Sequence, residues 1–342
     1  MGRLIIVLGI VFTMLCACNL KAPLPLHSEE SYDCRRIKVA PGPEDFVLDR
    51  WHGSPRLLVS CHDRRHPETP GGIYSFNIDS EEFKELPRIG EPADIAVFKP
   101  HGVDIRRDGN DILLYVIIHD PHNREQRSEN AVAIYLVGRD ELKFIKLLED
   151  KRYLWSPNDL SVLPSGEIYL TNDYHGSFDL YFKRKASEVV YFNPETQKWS
   201  KVADDIGLAN GILAEKSRVF VAAMFDNQIL EYPRLEDGSL GKGRAVAFFK
   251  GPDNIMKSGK YLMVAAHFDD LALMKTKKDP SAHAPSVIFR IDPEQMARST
   301  VFMDNGGLIS AASTALVYNN RLYISDVFDP YMVVCKVPKF LF

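Results

Sequence analysis

No Pro/Gly/Ser-rich linker, low-complexity tract or block of like charge interrupts these 342 residues, so beyond its N-terminal segment the chain reads as one domain. Basic residues are scattered (Arg64–Arg65, Arg106–Arg107, Lys183 to Lys185) and the formal net charge is −4, which excludes a nucleic-acid footprint. Helical periodicity is scarce; the longest candidate is the stretch Pro293 to Arg298, so helical fold classes are excluded. No serine stands in a G-x-S-x-G elbow, which removes the usual sign of a serine nucleophile. No N-x-[ST] sequon is present either, in keeping with a chain that is not glycosylated. Cysteine is sparse, at five residues, and two of these lie at the very start.

What the chain does have is a repeat. Six times a polar or small residue opens a short apolar strand, and a second strand then runs to an Asp. The openers are Glu44, His101, Asn158, Asn210, Asp253–Asn254 and Ser313; the closing Asp residues are Asp63, Asp120, Asp173, Asp226, Asp269 and Asp329. Corresponding points recur every 43 to 60 residues, the period of propeller blades. A third apolar strand follows each time (GIYSFNID, NAVAIYLV, EVVYFNP, QILEYPR, SVIFRID, MVVCKVP), with turn signals such as Pro164–Ser165–Gly166 and Asn319–Asn320 between strands. The pattern predicts an all-β fold, a six-bladed propeller of four-stranded antiparallel blades. Such a ring brings one position from each blade to the mouth of a central channel, so the openers are expected to be neighbours in space.

The N-terminus is a separate element. Arg3 precedes an apolar run from Leu4 to Leu15, shorter than the roughly 20 residues of a spanning helix and suited to a signal-peptide core. It ends in Leu15–Cys16–Ala17–Cys18, similar to a lipoprotein cleavage site with Cys18 as the lipidated residue; an ordinary signal, or one retained as an anchor, is the alternative. We therefore expect residues 1–18 to be a signal peptide, 19–33 a short linker and 34–342 the propeller, with the protein exported. A membrane association through the N-terminus is expected if that segment is retained or lipidated. In a propeller the chain ends meet, so a Cys34–Cys335 disulfide would lock the ring; the alternative is two free thiols. Such a bond persists in an oxidising compartment. Cys61 is then an odd, buried strand thiol.

Glu44, Asn158, Asn210, Asp253 and Asn254 bring carboxylate and amide oxygens, and no thiolate, to the mouth. Hard oxygen donors in number suit calcium. Asp45 and Asp159 directly follow Glu44 and Asn158, and alternation along a strand turns them the other way, towards a second metal deeper in the channel. Each of these dipeptides also occurs in ordinary turns; their repetition at one point of the blade favours ligands.

The stretches PGPEDF, KPHGVDI, LLYVIIHD, SPNDLSVL, IYLTND, LANGILA, GPDNI and STALVYNNRLYISDVF…VVCKV, in this order from Cys34 to Cys335, resemble the paraoxonase/arylesterase lactonases. Gluconolactonase-like and strictosidine-synthase-like propellers share parts of the set. The resemblance implies a catalytic calcium held by Glu44, Asn158, Asn210, Asp253 and Asn254. It implies a buried structural calcium held by Asp45, Asp159 and the backbone carbonyl of Val103, two ions in all. It also implies a His101/His119 general-base pair, a further active-site histidine at His267, and the Cys34–Cys335 ring closure. The expected chemistry is hydrolysis of a small-molecule lactone or ester: calcium polarises the carbonyl, His101 activates water, and His119 orients His101 and relays the proton. His119 also reads as a plain strand histidine satisfied in the core, like His62 in its own blade, and His122, His175 and His283 read as surface residues. Two places depart from the family. The loop HDRRHPETPGG lacks the tyrosine that helps wall the family's pocket, and YHGSFDLYFKRKAS is shorter than the helix mammalian members use as a lid and membrane contact. Both shape substrate choice, so breadth towards aryl esters or phosphotriesters is not implied. Rival readings are a single-metal aldonolactone hydrolase and a non-catalytic propeller with structural metals.

Overall fold

A computed structural model describes residues 32–93, 95, 97–122 and 130–338. The expected signal peptide, Cys18 and most of the expected linker lie outside the described residues. Six antiparallel sheets form the molecule, and the innermost strand of each lies against that of the next, all the way round. These innermost strands are Asp45–Asp49, Pro100–Asp108, Pro157–Val162, Ala209–Ala214, Pro252–Ser258 and Ala312–Tyr318. Each begins at or one residue from a predicted opener. The six-bladed propeller is therefore what the repeat predicted. Among the described residues five sheets have four strands; the second gains a parallel edge pairing from Arg88–Ile89.

The sixth blade closes the ring. Its outer strand is Asp33–Lys38, supplied from the other end of the chain and paired with Tyr331–Lys336. Cys34 faces Cys335 in that register, and the two are disulfide-bonded across a separation of 301 residues. Cys61 is buried and free.

Alternating strand side chains point into the spaces between blades, where six apolar clusters form. Leu58 and Ile73 of the first blade, for example, meet Val116 and Tyr135 of the second. Each such side chain contributes about 1.5–3 kcal/mol by leaving water.

Two glycines set where the mouth residues begin. Gly42 and Gly251 have φ of +59° and +61°, and a Cβ there would fall 2.1 and 2.0 Å from the carbonyl oxygens of His62 and His267. Their own carbonyls accept from the N–H of His62 and His267. Only glycine suits so close an approach at positive φ, and each is followed by proline and then by Glu44 or Asp253.

Pro293 to Arg298 is not a helix. Asp292 Oδ1 accepts from the N–H groups of Glu294 and Gln295, an Asx-type turn that diverts the chain into the strand Ala297–Asp304. The helices lie instead at Ser177–Phe182 and Asp270–Lys278, the second capped by Asp269, whose carboxylate accepts from Leu271 N–H and Ala272 N–H. Among the described residues no helix is long and apolar enough to cross a membrane.

Candidate functional site

The channel wall is stitched from blade to blade by polar side chains. Ser60 Oγ donates to the carbonyl of His101, Thr171 Oγ1 to that of Asn210, and Ser325 Oγ to that of Glu44. Carboxylates span the same gaps in the other sense. Asp45 accepts from Val103 N–H, Asp104 from Val162 N–H and Asp159 from Ile212 N–H. These bonds tie the first four blades in series and the sixth to the first.

Within this ring Glu44, Asn158, Asn210, Asp253 and Asn254 are all buried. Two of the amides are anchored by their NH₂ ends. Asn254 Nδ2 donates to Thr314 Oγ1 at 2.8 Å and to Ser313 Oγ at 3.3 Å, and Asn158 Nδ2 reaches Asp173 Oδ2 at 3.3 Å. Their oxygens are left over. Glu44 Oε2, Asn158 Oδ1, Asn210 Oδ1 and Asn254 Oδ1 are all sealed from solvent without a hydrogen bond. Buried polar atoms are normally satisfied, so four orphaned oxygens in one ring fit a hard cation. Among the described residues no cluster of three His, Cys, Asp or Glu has the compact form of a metal site; this donor set is mostly amide.

Asp45 and Asp159 lie below the mouth and line, with Val103 and Asn254, a channel cavity of about 470 Å³. Burial raises both carboxyls well above the usual range, with Glu44 adding to the rise at Asp45, and Asp45 at Asp159. Neither forms an ion pair among the described residues. Two carboxylates so placed fit a second cation, and the carbonyl of Val103 belongs to the same wall.

A relay of hydrogen bonds leads from the core to the mouth. Asn130 Nδ2 donates to the carbonyls of Leu154 and Trp155, which fixes Oδ1 as the end that meets His119 Nδ1 at 2.9 Å. His119 Nδ1 must therefore carry the proton. Burial and the neighbouring His101 hold the His119 pKa down at about 3, so the ring is neutral and its Nε2 is an acceptor. His101 Nδ1, 2.7 Å away, then donates. His101 Nε2 is left facing the mouth, 3.4 Å from Glu44 Oε1. Burial resists ionisation of Glu44, but His101 and Arg64 prevail and hold its carboxyl at about 2.

Residues 63–336 match the arylesterase family. The chain belongs to the arylesterase family. It is 26% identical to serum paraoxonase/arylesterase 2 of Rattus norvegicus over 356 residues, spanning 96% of this chain and 98% of that one. Serum paraoxonase/arylesterase 1 of Mus musculus is 25% identical over 276 residues, or 77% and 76% of the two chains. Among solved structures, a luciferin-regenerating enzyme superposes with a TM-score of 0.61 at 10% identity, covering 90% of this chain and 96% of that one. A calcium-binding protein, regucalcin, from Agrobacterium tumefaciens gives 0.54 at 12% identity, covering 88% and 93%. These two show the fold alone.

Five other histidines of this arylesterase-family chain fall out as follows. His267 is buried, with Nε2 2.8 Å from Asp253 Oδ2, so it holds that carboxylate in place. His62 differs from the expected satisfied core residue: its Nε2 is buried without a partner, and burial, with Arg64 adding, lowers its pKa to about 4. His122, expected at the surface, has a side chain only 7% exposed, turned onto Glu149. His175 and His283 are exposed, His175 stacked on Trp155. Two site residues escaped sequence reasoning. Asn130 opens a third strand, where nothing in the repeat calls for an amide, and Arg64 lies in a loop.

Proposed function

We propose that this protein is a calcium-dependent hydrolase of lactones, with esters as side substrates, exported to an oxidising compartment. The observation that carries the reading is the ring of four buried oxygens that make no hydrogen bond, beside a histidine whose Nε2 faces the mouth. Membership of the arylesterase family supports the reaction class, and the disulfide supports export. Glu44, Asn158, Asn210, Asp253 and Asn254 would hold the catalytic calcium; Asp45, Asp159 and the Val103 carbonyl would hold the second. When bound at the mouth, calcium supplies Lewis-acid polarisation of the substrate carbonyl.

The chain's own residues do the rest. His101 Nε2 takes a proton from water as the water oxygen bonds to the carbonyl carbon. The imidazolium formed lies 3.4 Å from Glu44 Oε1, a counter-charge that stabilises it. The ring carbon–oxygen bond then breaks and the leaving oxygen takes the proton back from His101, giving the hydroxy acid. His119 keeps His101 in the productive tautomer, through the hydrogen bond between their rings. His267 positions Asp253.

The test is hydrolysis of a panel of γ- and δ-lactones by the folded protein, with calcium and after chelation, beside His101→Gln. Calcium-dependent turnover that falls by about 10²–10⁴-fold in the mutant, with the fold intact, is expected for loss of a general base. A calcium-loaded, folded protein inert on every lactone and ester would favour the non-catalytic binding propeller. Turnover confined to sugar lactones would favour the aldonolactone hydrolase.

A further inference from the structure

Two adjacent arginines enter the region of the mouth, and they differ in one respect. Arg65 is fully engaged: its guanidinium pairs with Asp329 at 2.7 Å and donates twice to the carbonyl of Thr276, which fastens the loop. Arg64 is not. Its side chain is only 19% exposed, and Nε and Nη2 are sealed from solvent without a hydrogen bond. Among the described residues its one ion-pair partner is Glu44 Oε2, at 3.4 Å and in an orientation that makes no hydrogen bond. Its charge adds to the lowering of the His62 and His119 pKa values and opposes the rise at Tyr174.

A buried guanidinium with idle donors is costly unless something meets it. Glu44 is a poor candidate for that role, because the same oxygen is one of the four that fit a cation. If both positive groups press on Glu44 Oε2, they repel each other in a dry site. An anion lying between them relieves the repulsion and fills the donors, and the planar fork of Arg matches a carboxylate in two-point fashion.

We propose that Arg64 recognises a negatively charged group on the substrate, so that the preferred substrate is a lactone or ester carrying a free carboxylate. This rests on the hydrolase reading above for the word substrate; the anion site itself rests on Arg64. A γ-butyrolactone bearing a ring carboxylate and the same lactone bearing a carboxamide form a matched pair. A cyclopentanone carboxylate, which cannot be hydrolysed, reports binding alone.

In the calcium-loaded full chain, kcat/KM should favour the carboxylate lactone over the carboxamide. Arg64→Met should reduce that ratio by about thirtyfold, the weight of one hydrogen bond to a charged group, with Arg64→Lys recovering part of it. Calorimetry should show the cyclopentanone carboxylate binding more weakly to Arg64→Met by a similar factor, with melting curves certifying both folds. An unchanged ratio, or an equal fall on both lactones, overturns the assignment. A wild-type protein that hydrolyses neutral lactones but binds no acid overturns the anion site and leaves the hydrolase reading intact. One that binds the acid through Arg64 but hydrolyses nothing does the reverse.

Discussion

Replacing Asn130 by Leu is expected to disable the base without touching it. In the wild type, Asn130 Oδ1 accepts from His119 Nδ1–H, so His119 Nε2 accepts from His101 Nδ1–H, and a neutral His101 carries its lone pair on Nε2. With Leu in place, that N–H is buried and unpaired, a penalty of about 1–3 kcal/mol. His119 escapes it by moving its proton to Nε2, which then donates to His101 Nδ1 and forces the His101 proton onto Nε2. The productive tautomer pair thus becomes the minor one, and kcat/KM on a γ-lactone at saturating calcium should fall by about 10- to 100-fold. Lost stability must be told apart from lost tautomer. Asn130→Asp does so: it keeps an acceptor for His119 but gives up the donors to Leu154 and Trp155. It should melt at a lower temperature than wild type and keep most of its kcat. A folded Asn130→Leu protein with wild-type turnover would refute the tautomer argument, as would an Asp variant as slow as the Leu one.

Calcium should also act on stability, with no substrate present. At a free ion concentration a hundred times Kd, binding adds about 2.7 kcal/mol, or roughly 4 °C in Tm for a domain of this size. Scanning calorimetry with calcium and with chelator checks this, and Asn254→Leu should shrink the difference; identical melting curves would remove the metal from the reading. Opening the disulfide should cost up to about 6 kcal/mol in the chain-entropy model, given the 301-residue separation. The double variant Cys34→Ser/Cys335→Ser should then unfold at markedly lower denaturant, and an unmoved midpoint would mean that strand pairing alone holds the ring.

The innermost and second strands were legible in the sequence because both are buried almost throughout, as at Asp45–Asp49 and Arg56–Cys61, and so read as apolar runs between turn signals. The outer strands were not. Lys198–Ile206 is mostly exposed or half-buried and carries charge along its length, and Asp33–Lys38 spells DCRRIK, which no strand pattern picks out. The helix Asp270–Lys278 was hidden for a related reason: it buries little and ends in lysines. At the site, the opener residues were found because a ring repeats them. Asn130 and Arg64 occur once each, and only the three-dimensional neighbourhood makes an amide orientation or an idle guanidinium meaningful. The contrast between Arg64 and Arg65, side by side in sequence, shows how little residue type alone reveals there.

The sixth blade is built from both ends of the chain, and this bears on the order of events during synthesis. Its edge strand, Asp33–Lys38, emerges first and has no partner until Tyr331–Lys336 has been made. A product cut short before Cys335 keeps an unpaired strand at one end, an open sheet edge at the other and a lone reactive thiol at Cys34. Only a chain that reaches Cys335 can form the bond. A closed ring therefore distinguishes a chain that carries all six blades from one that stops short, because only the latter leaves a sheet edge exposed and Cys34 without its partner.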